Sequence, residues 1–133
     1  MKINITGLDV ERGLDVCGGD LSIYLYSLGI YVSSMPAFLA KLRSVSKETK
    51  FSSEILHEYV INVHSLKSTS EYVGALEAKD TAKKLEVMAR EGNTAGILAQ
   101  NERYIEYLEK LLSDIQSWLK ENHEFVKDHK MAG

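Results

Sequence analysis

Apolar residues in this chain recur at spacings of three and four over long stretches, and no segment shows sustained strand-type alternation, so the pattern predicts helices throughout. Gly18-Gly19-Asp20 precedes an apolar series at Leu21, Leu25, Leu28 and Val32, with Asp20 placed to cap the first free amides. Ser33 and Ser34 then lead to Pro36, the only proline, which suits a helix's first turn; a shorter helix is expected from there to about Ser46. Phe51-Ser52-Ser53-Glu54 reads as the next start, with a serine as cap and a glutamate at the positive dipole end. That helix should run to about Ala75, and another from Glu77 to Glu91, where Gly92-Asn93 provides a left-handed stop. The last long helix, from Thr94 to Asn122, carries a seam at Leu98, Ile105, Leu108, Leu112, Ile115 and Leu119.

The fold class expected is therefore all-α: an antiparallel four-helix bundle with a short N-terminal helix and a short additional helix. One domain should cover residues 1–133, with an N-terminal segment at 1–19 whose Asp9–Val16 stretch is helical, the bundle at 20–122, and a polar tail at 123–133 that frays.

The central helix has the most informative face. At roughly 100° per residue, Ile55, Tyr59, Leu66 and Val73 fall within about 40° of one another and form the core stripe. His64 lies about 160° from the middle of that stripe, so its imidazole should point to solvent. Residues three, four and seven positions away share its side: His57, Val60, Ile61, Lys67, Ser68 and Glu71. Val60 and Ile61 make a small apolar patch suited to receiving another protein. Lys67, one turn later, leans back toward the imidazole, where a cation would meet any phosphoryl group that His64 carried. Ser68 also leans over His64 and must be small if a partner is to close on the ring. Gly74 and Ala75 lie near the helix end, where their lack of bulk permits close packing or, for Gly74, the start of a turn.

Composition narrows the function classes. A formal net charge of −3 and a pI near 5.8 lack the basic stripe of a nucleic-acid binder. Lys79, Lys83 and Lys84 interleave with Glu77, Asp80 and Glu86, which reads as a solvated helix face. The single cysteine, Cys17, forms no internal disulfide. No apolar run approaches the roughly 20 residues that span a bilayer, and the start at Met1 does not resemble a signal peptide, so a cytoplasmic setting without membrane contact is expected. There is no His-Glu-x-x-His, calcium loop or Gly-x-x-x-x-Gly-Lys phosphate loop, so neither a metal site nor ATP binding is expected.

At this point the residues resemble a family. His64, Leu66, Lys67, Ser70, Gly74 and Ala75 fit the pattern of the histidine-containing phosphotransfer (HPt) domains of bacterial two-component phosphorelays. The likeness continues through Ala82, Leu85-Glu86, Ala89-Arg90 and Gly92, and upstream through Gly7-Leu8-Asp9, Gly13-Leu14 and Gly18-Gly19-Asp20. One position departs: the family usually has glycine where this chain has Ser68.

The resemblance implies that His64 accepts a phosphoryl group from a receiver-domain aspartyl phosphate and passes it to another receiver, through the Nε2 atom. Imidazole suits that task, since it is largely neutral and nucleophilic near pH 7. Lys67 would stabilise phosphoryl charge, while His57, Val60, Ile61, Ser68 and Glu71 would dock the partner and Gly74 and Ala75 serve structure. The chain would be a monomeric phosphocarrier and not an enzyme, without a cofactor of its own, Mg²⁺ being supplied by the receiver. Its partners would be response-regulator receivers and a hybrid sensor kinase. The alternative is a non-catalytic adaptor of the same fold that docks a receiver or kinase; a helical-bundle hydrolase ranks far lower, because paired inward carboxylates are lacking.

Overall fold

Local capping sets where the helices begin. In the computed structural model, which describes residues 3–129, six helices follow one another: α1 (Val10–Val16), α2 (Leu21–Ser46), α3 (Ser53–Val73), α4 (Leu76–Arg90), α5 (Thr94–Glu121) and α6 (His123–Asp128). Carboxylate, hydroxyl and amide oxygens accept the first free amides: Asp20 from Ile23, Ser52 from Ile55 and Asn93 from Gly96, at 2.9–3.2 Å. No strand occurs among the described residues.

α2 differs from expectation, because it runs unbroken through Pro36. Leu28, Tyr31, Met35, Leu39 and Leu42 form one buried stripe that continues across the proline, while Pro36 itself is exposed. An interior proline costs about 3 kcal/mol. Burying Met35, Leu39 and Leu42 stabilises the helix by about 1.5–3 kcal/mol for each side chain, so packing wins. Ser33 and Ser34 do not cap a new helix; their hydroxyls donate back to the carbonyls of Ile30 and Tyr31. The short additional helix lies instead in the segment expected to fray. α6 packs on α5, with the Phe125 ring edge-on to Trp118 at a centroid distance of 6.2 Å. Residues 130–133 of that tail lie outside the described residues.

Unbroken, α2 is long and apolar enough by length and composition to cross a bilayer, which the reading with a break at Pro36 did not anticipate. Its apolarity also serves the core: α2 packs on α3 and α5, α3 on α4, and α4 on α5, so each of these four helices touches two neighbours. Buried tyrosines tie them together. Tyr24 donates to the Val73 carbonyl at 2.8 Å, Tyr31 pairs with the Ser70 hydroxyl at 2.9 Å, and Tyr104 donates to the Ala78 carbonyl at 2.9 Å. Tyr59 donates to Asn101, whose amide donates to the Leu42 carbonyl and the Ser46 hydroxyl. Burial pushes all four phenols up, that of Tyr31 to about 12, so they remain neutral donors.

The end of α3 is fixed by its glycine. α3 stops at Val73, and Gly74 takes the left-handed conformation (φ 76°). Asp9 donates its amide to the Gly74 carbonyl at 2.8 Å, and a Cβ at position 74 would collide with the Asp9 carbonyl. What approaches Gly74 closely is thus the segment leading into α1, while buried Ala75 caps α4 without a side-chain hydrogen bond.

Candidate functional site

Six apolar and small polar side chains bury one side of α3: Tyr59, Asn62, Val63, Leu66, Ser70 and Val73. Ile55, expected in this stripe, is half-buried. The opposite side carries His64, whose side chain is 55% exposed. His57 and Ser68 are exposed beside it, Ile61 is 51% exposed, and Val60 is half-buried against the core.

Beneath the imidazole lies a carboxylate from α4. Glu86 has a side chain only 7% exposed, yet it accepts three hydrogen bonds. His64 Nδ1 lies 2.9 Å from its Oε2, Lys67 Nζ donates to Oε1 at 2.6 Å, and Arg90 donates to Oε2 at 2.9 Å. Burial alone would raise the pKa of Glu86. The hydrogen bonds from Lys67, Arg90 and His64 outweigh it and hold the carboxyl at about 2, so Glu86 is ionised near neutral pH. An ionised carboxylate only accepts, which assigns the proton of neutral His64 to Nδ1 and leaves the Nε2 lone pair free.

Lys67 therefore does not stand free over the imidazole; its ammonium is joined to Glu86 and is 29% exposed. It still lies two hydrogen bonds from the ring, because Glu86 links the two groups. Glu71, one turn beyond Lys67, is engaged by Arg12 of α1 at 3.0 Å and Lys79 of α4 at 2.7 Å. The bond from Lys79 lowers its pKa most, against a smaller upward effect of burial, with Arg12 adding to the lowering. Glu71 thus knits α1, α3 and α4 together beside the exposed histidine.

Glu86 and Arg90 were not singled out as site residues by sequence reasoning. Grouping Glu86 with Glu77 and Asp80 on a solvated face was incorrect for Glu86, which is buried, whereas Glu77 and Asp80 are exposed. A wheel holds the signal: Glu86 is four residues after Ala82 and three before Ala89, both buried, so it sits at the edge of α4's apolar stripe. Arg90 follows four residues after Glu86, in ion-pairing register. α3 carries exposed apolar surface beyond Val60 and Ile61. Tyr72 on α3 and Ile30 on α2 are both about half exposed and wall a shallow groove of about 250 Å³ between the two helices.

An exposed imidazole with one nitrogen pinned by a buried carboxylate and the other free is a nucleophile set to form one bond outward. The Hpt domain family model matches residues 27–118, more than half of the chain, and the chain belongs to the Hpt domain family. Hpt domains are phosphotransfer modules of two-component signalling, phosphocarriers more than enzymes in the usual sense, and they interact with response-regulator receiver domains and kinases. The match begins within α2 and leaves α1 and α6 outside it. Neither a curated protein nor a solved structure matches the chain.

Proposed function

We propose that His64 is the phosphoryl carrier, taking the group from a receiver-domain aspartyl phosphate and handing it to the aspartate of a second receiver. The observation that carries this reading is the hydrogen bond between His64 Nδ1 and Glu86, which leaves Nε2 as the nucleophile on a ring 55% exposed. Phosphoryl transfer depends on in-line placement and on neutralising charge on the equatorial oxygens. Lys67 serves the second need by turning from Glu86 toward the bound group, and the receiver supplies Mg²⁺ and most of the remaining charge. His57, Val60, Ile61 and Ser68 form the docking face, extended by Tyr72 and Ile30, while Glu71 holds that face to α1 and α4. The Ser68 hydroxyl, on the turn after His64, narrows the approach to the ring and tunes which receivers fit.

The supporting scaffold is an antiparallel four-helix bundle of α2 to α5. Short connections between successive helices, and contacts that close from α5 back to α2, favour that arrangement. The reading includes a cytoplasmic, monomeric protein whose phosphoryl groups all come from partners. Replacing His64 with glutamine tests it: the His64→Gln protein should take no label from a phosphorylated receiver while keeping its helical content. Undiminished labelling of that variant would reject His64 as the carrier.

A further inference from the structure

The Glu86 carboxylate does more than orient a nucleophile if its bond to Nδ1 outlasts phosphorylation. In the forward step the Nε2 lone pair forms an N–P bond, the P–O bond to the receiver's aspartate breaks, and the electron pair leaves on that carboxylate. No proton is released, because the one on the ring is already at Nδ1, facing Glu86. The product is an N-phosphorylated imidazolium, whose ring is cationic and whose Nδ1 lies 2.9 Å from an ionised carboxylate. In the onward step a carboxylate oxygen of the second receiver's aspartate forms a bond to phosphorus, the N–P bond breaks, and its electrons return to Nε2. With Nδ1 protonated, the departing group is neutral imidazole; without that proton it would be imidazolate, a much poorer leaving group.

We propose that Glu86 retains the Nδ1 proton on phosphorylated His64 and so keeps the phosphohistidine in its labile, transfer-ready form. The inference rests on His64 being the phosphoryl carrier. Glu86 is a positioning residue in this scheme, and the geometry suits it. Its side chain is buried to 7% exposure and stays bonded to Arg90 even when Lys67 turns to the phosphoryl group, so it remains beneath the ring when the ring becomes charged. The other titratable groups on the facing elements include lysines and arginines, and those cations disfavour a protonated ring. From α3 come His57, Lys67 and Glu71; from α4 come Lys79, Lys83 and Arg90; from α1 comes Arg12, which with Lys79 neutralises Glu71. Among the described residues, Glu86 alone pairs with the imidazole.

The test needs no partner protein. The chain is phosphorylated with phosphoramidate, and loss of phosphate is followed by ³¹P NMR across pH 5–9 for the natural sequence and for Glu86→Gln, whose amide keeps the size of the side chain without its charge. The expected result is that the fall in lability with rising pH occurs about one unit lower in Glu86→Gln, so that above both transitions its phosphohistidine lasts about tenfold longer. A general loosening of the site would change the rate at every pH without moving the transition. Superimposed pH profiles, with His64 modified in both proteins, would overturn the proposal. Phosphorylation of His64→Gln to the same extent would instead overturn the reading on which it rests. A second measurement uses the natural sequence alone: the ¹⁵N shift of Nδ1 in phosphorylated His64 should titrate at higher pH in the folded protein than in urea. Equal titration in the two states would refute the proposal even if Glu86→Gln did not fold.

Discussion

Two polar networks flank α3, and they are built on opposite principles. On the side toward α2 and α5, Tyr59, Asn101, Ser46 and the Leu42 carbonyl form a neutral chain closed within the protein. On the side toward α4, Glu86 is charged and gathers His64, Lys67 and Arg90, whose side chains are 55%, 29% and 60% exposed. The first network fixes helix positions, because breaking the Tyr59–Asn101 or Asn101–Leu42 bond strands a partner away from water. In the second, Lys67 can trade partners, because it reaches solvent while His64 and Arg90 stay on Glu86. A carrier site needs that asymmetry: a rigid floor under a group with a neighbour that can turn outward to a ligand.

Acid should separate the two most strongly. The Glu86 carboxyl is held near 2 in the folded protein against 4.5 as the ordinary value, so its ionised form contributes stability in full above about pH 4.5. That contribution, on the order of 3 kcal/mol, is lost as pH falls through 4.5 toward 2. Urea unfolding at pH 6 and at pH 3 should therefore show a steeper loss for the natural sequence than for Glu86→Gln, and equal losses would mean that Glu86 is not held ionised by its partners.

The neutral network should respond to substitution instead. Asn101→Ala leaves the Tyr59 hydroxyl without its buried acceptor and should cost about 1–3 kcal/mol of stability, read by urea midpoint, with phosphoryl uptake at His64 unchanged. A fall in uptake in still-folded Asn101→Ala would show the two networks to be coupled. The smallest effect on stability is expected for Lys67→Ala, about 1 kcal/mol, because the buried Glu86 loses one donor but keeps two others. Its transfer rate from a receiver should nevertheless fall about tenfold, corresponding to about 1.4 kcal/mol of transition-state stabilisation. An unaltered rate would assign charge neutralisation to the partner alone.

The same contrast explains what could be read from the sequence. Helix starts at Asp20, Ser52 and Asn93 depend on a side chain and an amide three residues on, so they are legible locally. The exposure of His64 follows from the periodicity of one helix. Pro36 misled because the local rule for proline was outweighed by a stripe packed against two other helices. Glu86 was missed for a related reason: its charge is tolerable in the interior only because Lys67 and His64, 19 and 22 residues earlier, meet it there. Phe125 likewise turns a polar tail into α6 by finding Trp118.

The central claim is that His64 carries phosphoryl on Nε2 while Glu86 holds Nδ1. Phosphorylating the ¹⁵N-labelled chain from a receiver aspartyl phosphate and recording ³¹P–¹⁵N couplings reads this directly. The account predicts a single acid-labile, base-stable phosphate coupled to Nε2 of His64; phosphate on Nδ1, or on any other residue, would contradict it.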